Sequence, residues 1–533
     1  MKTILSLIIF CVLAWWIYRI YLSPKVKFRA VDMGEGNYYL LSPNMYFVIF
    51  TVCTAPVFLA SLSLLKYGLW FMTILALLVV GRVRMKFELM TVIYLVFFLW
   101  LCYTMTYTTV PRDGAMMLIK YSLPMLFLWL GYSGLRNEKD LIVFLKVVNV
   151  VVCVYCMFIG GQGCKLMPWL YYPVFMGMFG TYAAFADYLT AVFIVPILLY
   201  WLTKERKYIF CALWMVLSTV LESVRTGMGG MLLVFCVALL LKNKAKAKAI
   251  PGIAVAGALF LGVVLFVPEV NEKFFGDDAG SVSAADIVQG DAMSMENIEM
   301  HGREYMWEYV LDNCYYGNET FGGGLGTSGR FVKDFGREND SLEMMHNDYL
   351  QVLCDAGHVG IVLLVLFYLS VILKVTSKVT IKHPSALVRL TGIMALPSLV
   401  GIGFSMYFDN VVSNSMQSMV MPYIYLGFFL KALDMEKRSK QHGDGVAVNM
   451  PAEWLIVARQ FLFSSSFNPH PGWQKDDKLV LLGEPKGSAV ATDAKPRAES
   501  NSFELCRGAK EGNCKLTDAP PASAFSSSFS LKK

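Results

Sequence analysis

The chain has 533 residues, of which 56% are hydrophobic and only 16% are charged. A soluble globular protein carries roughly 25% charged residues, so this composition excludes an ordinary soluble enzyme, a disordered regulator and a disulfide-stapled secreted module. The net charge of +7 comes from short basic clusters between apolar runs. That pattern is typical of a protein whose solvent is the lipid bilayer, and it predicts no nucleic-acid partner.

Apolar runs long enough to cross a bilayer recur along the chain. A spanning helix needs roughly 20 mostly apolar residues, and we predict an all-α, polytopic integral membrane protein with about 12–13 transmembrane helices. The second and third runs are short and close together, so a single re-entrant hairpin is the alternative there. The runs cover residues 3–22, 45–65, 66–81, 89–107, 116–134, 141–160, 184–202, 208–222, 227–241, 250–267, 357–373, 387–406 and 411–430.

Basic residues in the short loops predict the orientation, because cytoplasmic loops carry an excess of Lys and Arg. Every basic cluster falls on one side when the spans alternate, which places the N-terminus outside, the C-terminus inside and residues 268–356 in one large external loop. We therefore predict N-terminal transmembrane helices over 1–171 and a core over 172–440. Residues 441–533 are rich in Ser, Pro, Gly and Lys, which favours a mostly disordered cytoplasmic tail.

Charged residues at the external helix ends are candidates for function, since charge near the membrane is costly. Arg225 follows the eighth predicted span and stands three residues after Glu222. This spacing puts both side chains on one helical face. A local ion pair is one interpretation, and the other is that Arg225 points into an external cavity and binds an anion.

The external loop carries two further patterns. Arg303 and Trp307 are spaced to share a helical face. One interpretation is a cation–π pair that stabilises the helix. The other is a guanidinium group that donates several hydrogen bonds to a ligand beside an aromatic ring. Next comes a glycine-rich turn over residues 321–327, which is expected to expose backbone N–H groups.

His346 lies where the loop returns to the membrane, at the depth of a lipid-linked headgroup. An imidazole changes protonation near neutral pH, so His346 is a candidate general base. The alternative is an interfacial or helix-capping histidine.

The order of these pieces resembles the O-antigen ligase/polymerase family of bacterial envelope glycan enzymes, over roughly residues 172–430. The matching positions are Arg225, Arg303 and Trp307, Gly324 and Gly326, the segment His346 to Gln351, and Asp355, Gly357 and Gly360 at the following helix. The His-Asn-x-Tyr-Leu-Gln segment is the most specific of them.

The resemblance implies a glycosyltransferase of the bacterial inner (plasma) membrane with its active site on the external, periplasmic face. It would move a glycan from a polyprenyl diphosphate carrier, such as undecaprenyl diphosphate, to a lipid A-core sugar or to a growing glycan. By the same resemblance, Arg225 and Arg303 bind the diphosphate and His346 takes the acceptor proton. Asn347, Trp307 and Tyr305 are weaker candidates for contacts with sugars or phosphates.

No cofactor and no metal are expected, because guanidinium groups can neutralise a diphosphate as Mg²⁺ does. Asp277 and Asp278 form the alternative metal site. The rival function is a secondary transporter or flippase for lipid-linked sugars, in which Asp187, Glu222 and Arg225 would be the substrate or coupling residues. A third hypothesis is a scaffold in a glycan-assembly complex. The sequence leaves the choice between ligase and polymerase open.

Overall fold

A computed structural model describes residues 11–12, 15, 30–32, 38–56, 63–158, 181–243, 245–275, 303–339, 345–381, 384–412 and 416–441. All of these residues belong to one unit of the chain, Met1–Asn468. Almost all of the predicted first span, the Asp277–Asp278 pair and the tail after Gln441 lie outside the described residues. The predicted domain boundaries stay predictions.

The first part of the described chain is helical apart from a short antiparallel hairpin. Its strands are β1 (Ala30–Asp32) and β2 (Tyr38–Leu40), with Ala30 opposite Leu40. Ser42 then caps the first helix, since its side chain accepts the Met45 N–H at 3.0 Å. The helices that follow are α1 (Pro43–Thr54), α2 (Ser63–Val79), α3 (Leu89–Thr104), α4 (Pro111–Gly134) and α5 (Glu138–Phe158).

The second part contains the remaining helices. They are α6 (Tyr182–Val192), α7 (Ile194–Thr203), α8 (Lys207–Leu221), α9 (Arg225–Lys242), α10 (Ile250–Phe266), α11 (Pro268–Phe275), α12 (Arg303–Val310), α13 (Thr327–Asn339), α14 (Asp348–Thr380), α15 (Ala386–Phe408) and α16 (Val420–Gln441). Single turns of 3₁₀ helix lie at Lys246–Ala249 and Met416–Met419, and a π-turn lies at Leu311–Tyr315.

The predicted fold class is confirmed: this is an all-α polytopic membrane protein. Within the described residues, seven helical segments are long and apolar enough to cross a membrane, and four shorter apolar helices accompany them. Each predicted span after the first contains a helix. The seventh is interrupted between α6 and α7, because Pro196 has no N–H to donate to the Val192 carbonyl one turn earlier.

The centre of the bundle is formed by α4, α15 and α16, whose side chains are mostly buried. Glycines let two of these helices approach closely. A Cβ atom on Gly131 would lie 2.9 Å from the Cα atom of Ile424, and one on Gly427 would lie 2.6 Å from the Tyr132 nitrogen. Close backbone approach at small residues is a common way to pack helices in a membrane, where lipid supplies no hydrophobic force between them.

The last predicted span is wrong at its start. We predicted a helix over residues 411–430, whereas α16 begins at Val420. The intervening backbone is used for tertiary contacts: the Val412 N–H donates to the Asp348 carboxylate at 2.9 Å, and Asn410 accepts the N–H of His346 at 3.1 Å. A hydropathy window measures apolar character and does not register such contacts.

The helix α14 breaks sharply at Gly357, which has φ 65° and ψ −166°, a conformation essentially restricted to glycine. The break lets residues 319–324 pack against the helix. A Cβ atom on Gly357 would lie 2.6 Å from the Gly322 nitrogen, and one on Gly322 would lie 2.5 Å from the Ala356 nitrogen. The two glycines therefore fix how the loop residues meet the membrane end of α14.

The substitution Gly357→Ala is expected to destabilise the protein by at least about 1–3 kcal/mol from the backbone conformation alone, with further loss from the clash at Thr320. The measurement is the Tm of the purified protein in detergent. Gly257→Ala is the matched control, since a Cβ atom there meets nothing within 4 Å. Equal Tm values for both variants would contradict the proposed role of Gly357.

Candidate active site

His346 lies just before α14 and is held in an unusual backbone conformation, with φ 52°. Side chains other than glycine rarely occupy this left-handed region, and such strain persists where surrounding contacts fix it. Here the His346 N–H donates to the Asn410 side-chain oxygen at 3.1 Å, and its ring Nδ1 lies 3.2 Å from an Asp409 carboxylate oxygen. Since a carboxylate accepts, Nδ1–H donates to Asp409 and Nε2 is left as the basic nitrogen.

The segment around His346 is held in place by two further side-chain contacts. The Trp307 indole N–H donates to the Met345 carbonyl at 2.6 Å. Asn347 caps α14, accepting the Leu350 N–H at 3.0 Å. These contacts position His346, and the predicted substrate contacts of Trp307 and Asn347 stay predictions. Arg303 and Trp307 donate to different carbonyls, those of Phe408 and Met345.

Arg303 begins α12 and is largely buried. Its Nη1 donates to the carbonyl of Phe408, the last residue of α15, at 2.8 Å. Its Nε is buried and has no hydrogen-bond partner in the described part of the chain. Burial lowers the pKa of the Arg303 guanidinium, and the charge of Asp409 opposes that shift. A buried cation with an unused donor favours an anionic ligand.

Arg225 is the first residue of α9, and its guanidinium carbon lies 5.8 Å from the centre of the Phe274 ring. The preceding Val224 provides no side-chain cap for the helix. Backbone N–H groups of a first helical turn point outward and favour anions, which adds to the charge of the arginine.

A single cavity of about 420 Å³ joins the two arginines. Arg225, Arg303 and Lys273 supply positive charge to its lining, and Glu222 and Asp409 supply negative charge. Asp409 is also the partner of His346, so the cation-rich cavity and the imidazole share one wall. The other lining residues are Thr181, Tyr182, Ala183, Ser223, Val224, Thr226, Gly229, Phe260, Phe274, Phe404 and Phe408.

Tyr305 is separate from this arrangement. Its side chain is 73% exposed, and it is not one of the residues that line the cavity. The structure therefore brings together Arg225, Arg303 and His346 but leaves Tyr305 on the surface of α12.

The expectation that the glycine-rich turn exposes its amides is wrong. The N–H groups of Gly326 and Ser328 each donate to the buried Asp355 carboxylate at 2.8 Å. Those of Gly323 and Gly324 donate to the carbonyls of Cys354 and Asp355. A buried carboxylate needs such donors, so these four amides fasten the turn to α14 and are not presented to a phosphate.

A model of a known family matches part of the chain. Residues 210–365 match the family model Wzy_C, described as O-antigen ligase. This segment is similar to the O-antigen ligase family. The match contains Arg225, Arg303 and His346, so the resemblance predicted from their order is confirmed, and it supports glycan transfer of the O-antigen ligase type. No curated protein matches the chain significantly.

Sequence reasoning missed Asp409 and Asn410, which lie beyond the matched residues 210–365. Both are buried, and both bond to His346. The available signal was Asp409 itself, an acidic residue in the four-residue gap between two predicted spans, where a charged side chain costs free energy. Nothing local links that gap to His346, since the contact depends on how α14 and α15 pack.

Asp409→Asn is expected to lower kcat roughly 10- to 100-fold, because the amide no longer fixes the imidazole tautomer. This loss is smaller than the full contribution of an acid–base group, since the imidazole itself remains. The donor KM should stay level or fall, since Asp409 adds negative charge to the cavity. Steady-state kinetics with varied donor separate these effects. A large rise in donor KM with kcat unchanged would show that Asp409 acts on donor binding instead.

Proposed function

We propose that this protein transfers a glycan from a polyprenyl diphosphate carrier to an acceptor hydroxyl. The observation that carries the proposal is the shared cavity: Arg225 and Arg303, from separate parts of the chain, line it together with the Asp409 that binds His346. Cations for a leaving group and a base for a nucleophile thus lie side by side.

The arginines fit the leaving group. When the bond from the anomeric carbon to the diphosphate breaks, its electron pair stays on the diphosphate oxygen, and negative charge grows there. Guanidinium groups bind such oxygens with charge-assisted hydrogen bonds, and charge placed in advance at a buried site stabilises the transition state. Arg303, with its buried and unpartnered Nε, is the stronger of the two candidates.

His346 fits the nucleophile. The acceptor oxygen forms the new bond to the anomeric carbon, and its proton passes to Nε2 of the imidazole. Asp409, bonded to Nδ1 at 3.2 Å, stabilises the imidazolium that results. One donor and one acceptor are consumed, and one glycosylated acceptor and one polyprenyl diphosphate are formed.

The location and the acceptor complete the proposal. The basic clusters on one side of the spans support an active site on the external, periplasmic face of a bacterial inner membrane. A lipid A-core acceptor would make this a ligase of lipopolysaccharide biosynthesis, and a growing glycan would make it a polysaccharide polymerase. We propose that no metal is needed, so activity should survive EDTA.

The test uses the purified protein in nanodiscs with undecaprenyl diphosphate-linked glycan. Release of undecaprenyl diphosphate and the size of the glycan product are followed with lipid A-core or with repeat-unit glycan as acceptor. One transfer to lipid A-core indicates a ligase, and a ladder of repeats indicates a polymerase. Movement of the lipid-linked glycan across the bilayer with no release would instead favour a flippase, with the fully buried Asp187 as its first candidate residue.

A further inference from the structure

A second cavity lies beside the His346 segment. It measures about 260 Å³. Its lining includes Met345, which precedes His346, and Asn410, which accepts the His346 N–H. Asp409, the partner of the His346 ring, lines the first cavity, so each cavity is lined by a residue that bonds to His346.

The second cavity differs from the first in the kind of cation that lines it. Asp113 and Lys333 form a partly exposed ion pair at 2.9 Å. Lys120 is the remaining cation of the lining, and the Asp348 carboxylate is its charge partner. The first cavity contains two guanidinium groups, which suit a diphosphate, whereas the described residues that line the second include lysines but no arginine.

Polar side chains face apolar ones across the second cavity. Asn410 is 1% exposed, and its amide nitrogen has no hydrogen-bond partner in the described residues, although its oxygen accepts the His346 N–H. Gln351 and Ser328 add further polar groups, while methionines and a valine supply apolar surface. A buried amide donor without a partner is costly and points to a ligand that accepts a hydrogen bond.

We propose that the cavity lined by Lys120, Ser328, Gln351 and Asn410 binds the acceptor sugar. Hydroxyl groups accept from the Asn410 amide and the Lys120 ammonium, and the carbon faces of the ring pack on the methionines. The attacking hydroxyl then lies beside Met345 and Asn410, the two lining residues nearest His346 in sequence or by hydrogen bond. This inference rests on the proposed function and assigns it a second substrate site, separate from the cation-rich cavity.

The test makes the same replacement, lysine by methionine, once in each cavity. Lys120→Met changes the second cavity, and Lys273→Met changes the first. With undecaprenyl diphosphate-linked glycan as donor, Lys120→Met should raise the acceptor KM about tenfold, the effect of one charge-assisted hydrogen bond, and leave the donor KM unchanged. Lys273→Met should do the reverse. Gln351→Ala should also raise the acceptor KM, which covers the case in which Lys120→Met does not fold.

The acceptor probes are the repeat-unit glycan released from the donor by mild acid and purified lipid A-core, which separate the polymerase and ligase sources. Isothermal titration calorimetry measures their binding to the wild-type protein and to both second-cavity variants. Binding that is lost in these variants without any transfer by the wild type would overturn the proposed function and keep the sugar site. Transfer with unchanged acceptor KM in both variants, or no binding of either probe to the wild type, would overturn the sugar site.

Discussion

His346→Asn is expected to lower the rate of glycan transfer roughly 10²- to 10⁴-fold, the contribution usual for a positioned acid–base group. Asparagine is the informative replacement because His346 has φ 52°, a conformation that asparagine tolerates better than alanine does. The fold is therefore retained, while the nitrogen that takes the proton is removed. Donor affinity should change little, because the arginines that bind the diphosphate are untouched.

His358→Asn is the matched control. It changes a histidine of α14, the helix that follows His346, and this histidine is exposed and bonded to the Tyr315 hydroxyl at 2.8 Å. Transfer by this variant should stay close to the wild-type rate. Single-turnover measurements of released undecaprenyl diphosphate compare the two variants, and similar losses in both would assign His346 a structural role only.

The helices were largely predictable, because each apolar run in the sequence is long enough to be recognised on the scale of the bilayer. The error lies at the start of the last span, where residues before Val420 bond to the His346 segment and to α14. The predicted span over 184–202 is one candidate span, Tyr182–Thr203, although Pro196 leaves a one-residue break between α6 and α7. Both features are local and chemical, and an average of hydropathy does not register them.

The site was predictable only in part. Arg225 and Arg303 could be chosen as candidate site residues because a charged side chain at the membrane boundary is costly and usually functional. The cavity that they share supports that choice. Asp409 could not be paired with His346, because 63 positions separate them and only the packing of α15 brings them together. Likewise, Asp355 was recognised within the motif, but its role as acceptor for the glycine-rich turn depends on the break at Gly357.

Arg303→Met is expected to lower kcat roughly 10²- to 10³-fold, as loss of one group that stabilises transition-state charge does in other enzymes. The guanidinium is partly buried beside the Phe408 carbonyl, where its charge is screened less than it would be in bulk water. Methionine keeps the apolar stem and removes only the charge and the donors. Arg303→Lys should recover part of the rate, since an ammonium restores charge without the planar fork.

Arg330→Met tests whether the loss is specific to Arg303. Arg330 lies on the exposed surface of α13 and contacts Asp334 at 3.7 Å, a surface pair of little energetic value. Its replacement should leave kcat and both KM values unchanged. If positive charge at the leaving group limits the reaction, the wild type and Arg330→Met should be fastest. Arg303→Lys should be slower, and Arg303→Met slowest. If Arg303→Lys were as slow as Arg303→Met while both retained the wild-type Tm, the geometry of the guanidinium, and not its charge, would be the essential property of this residue.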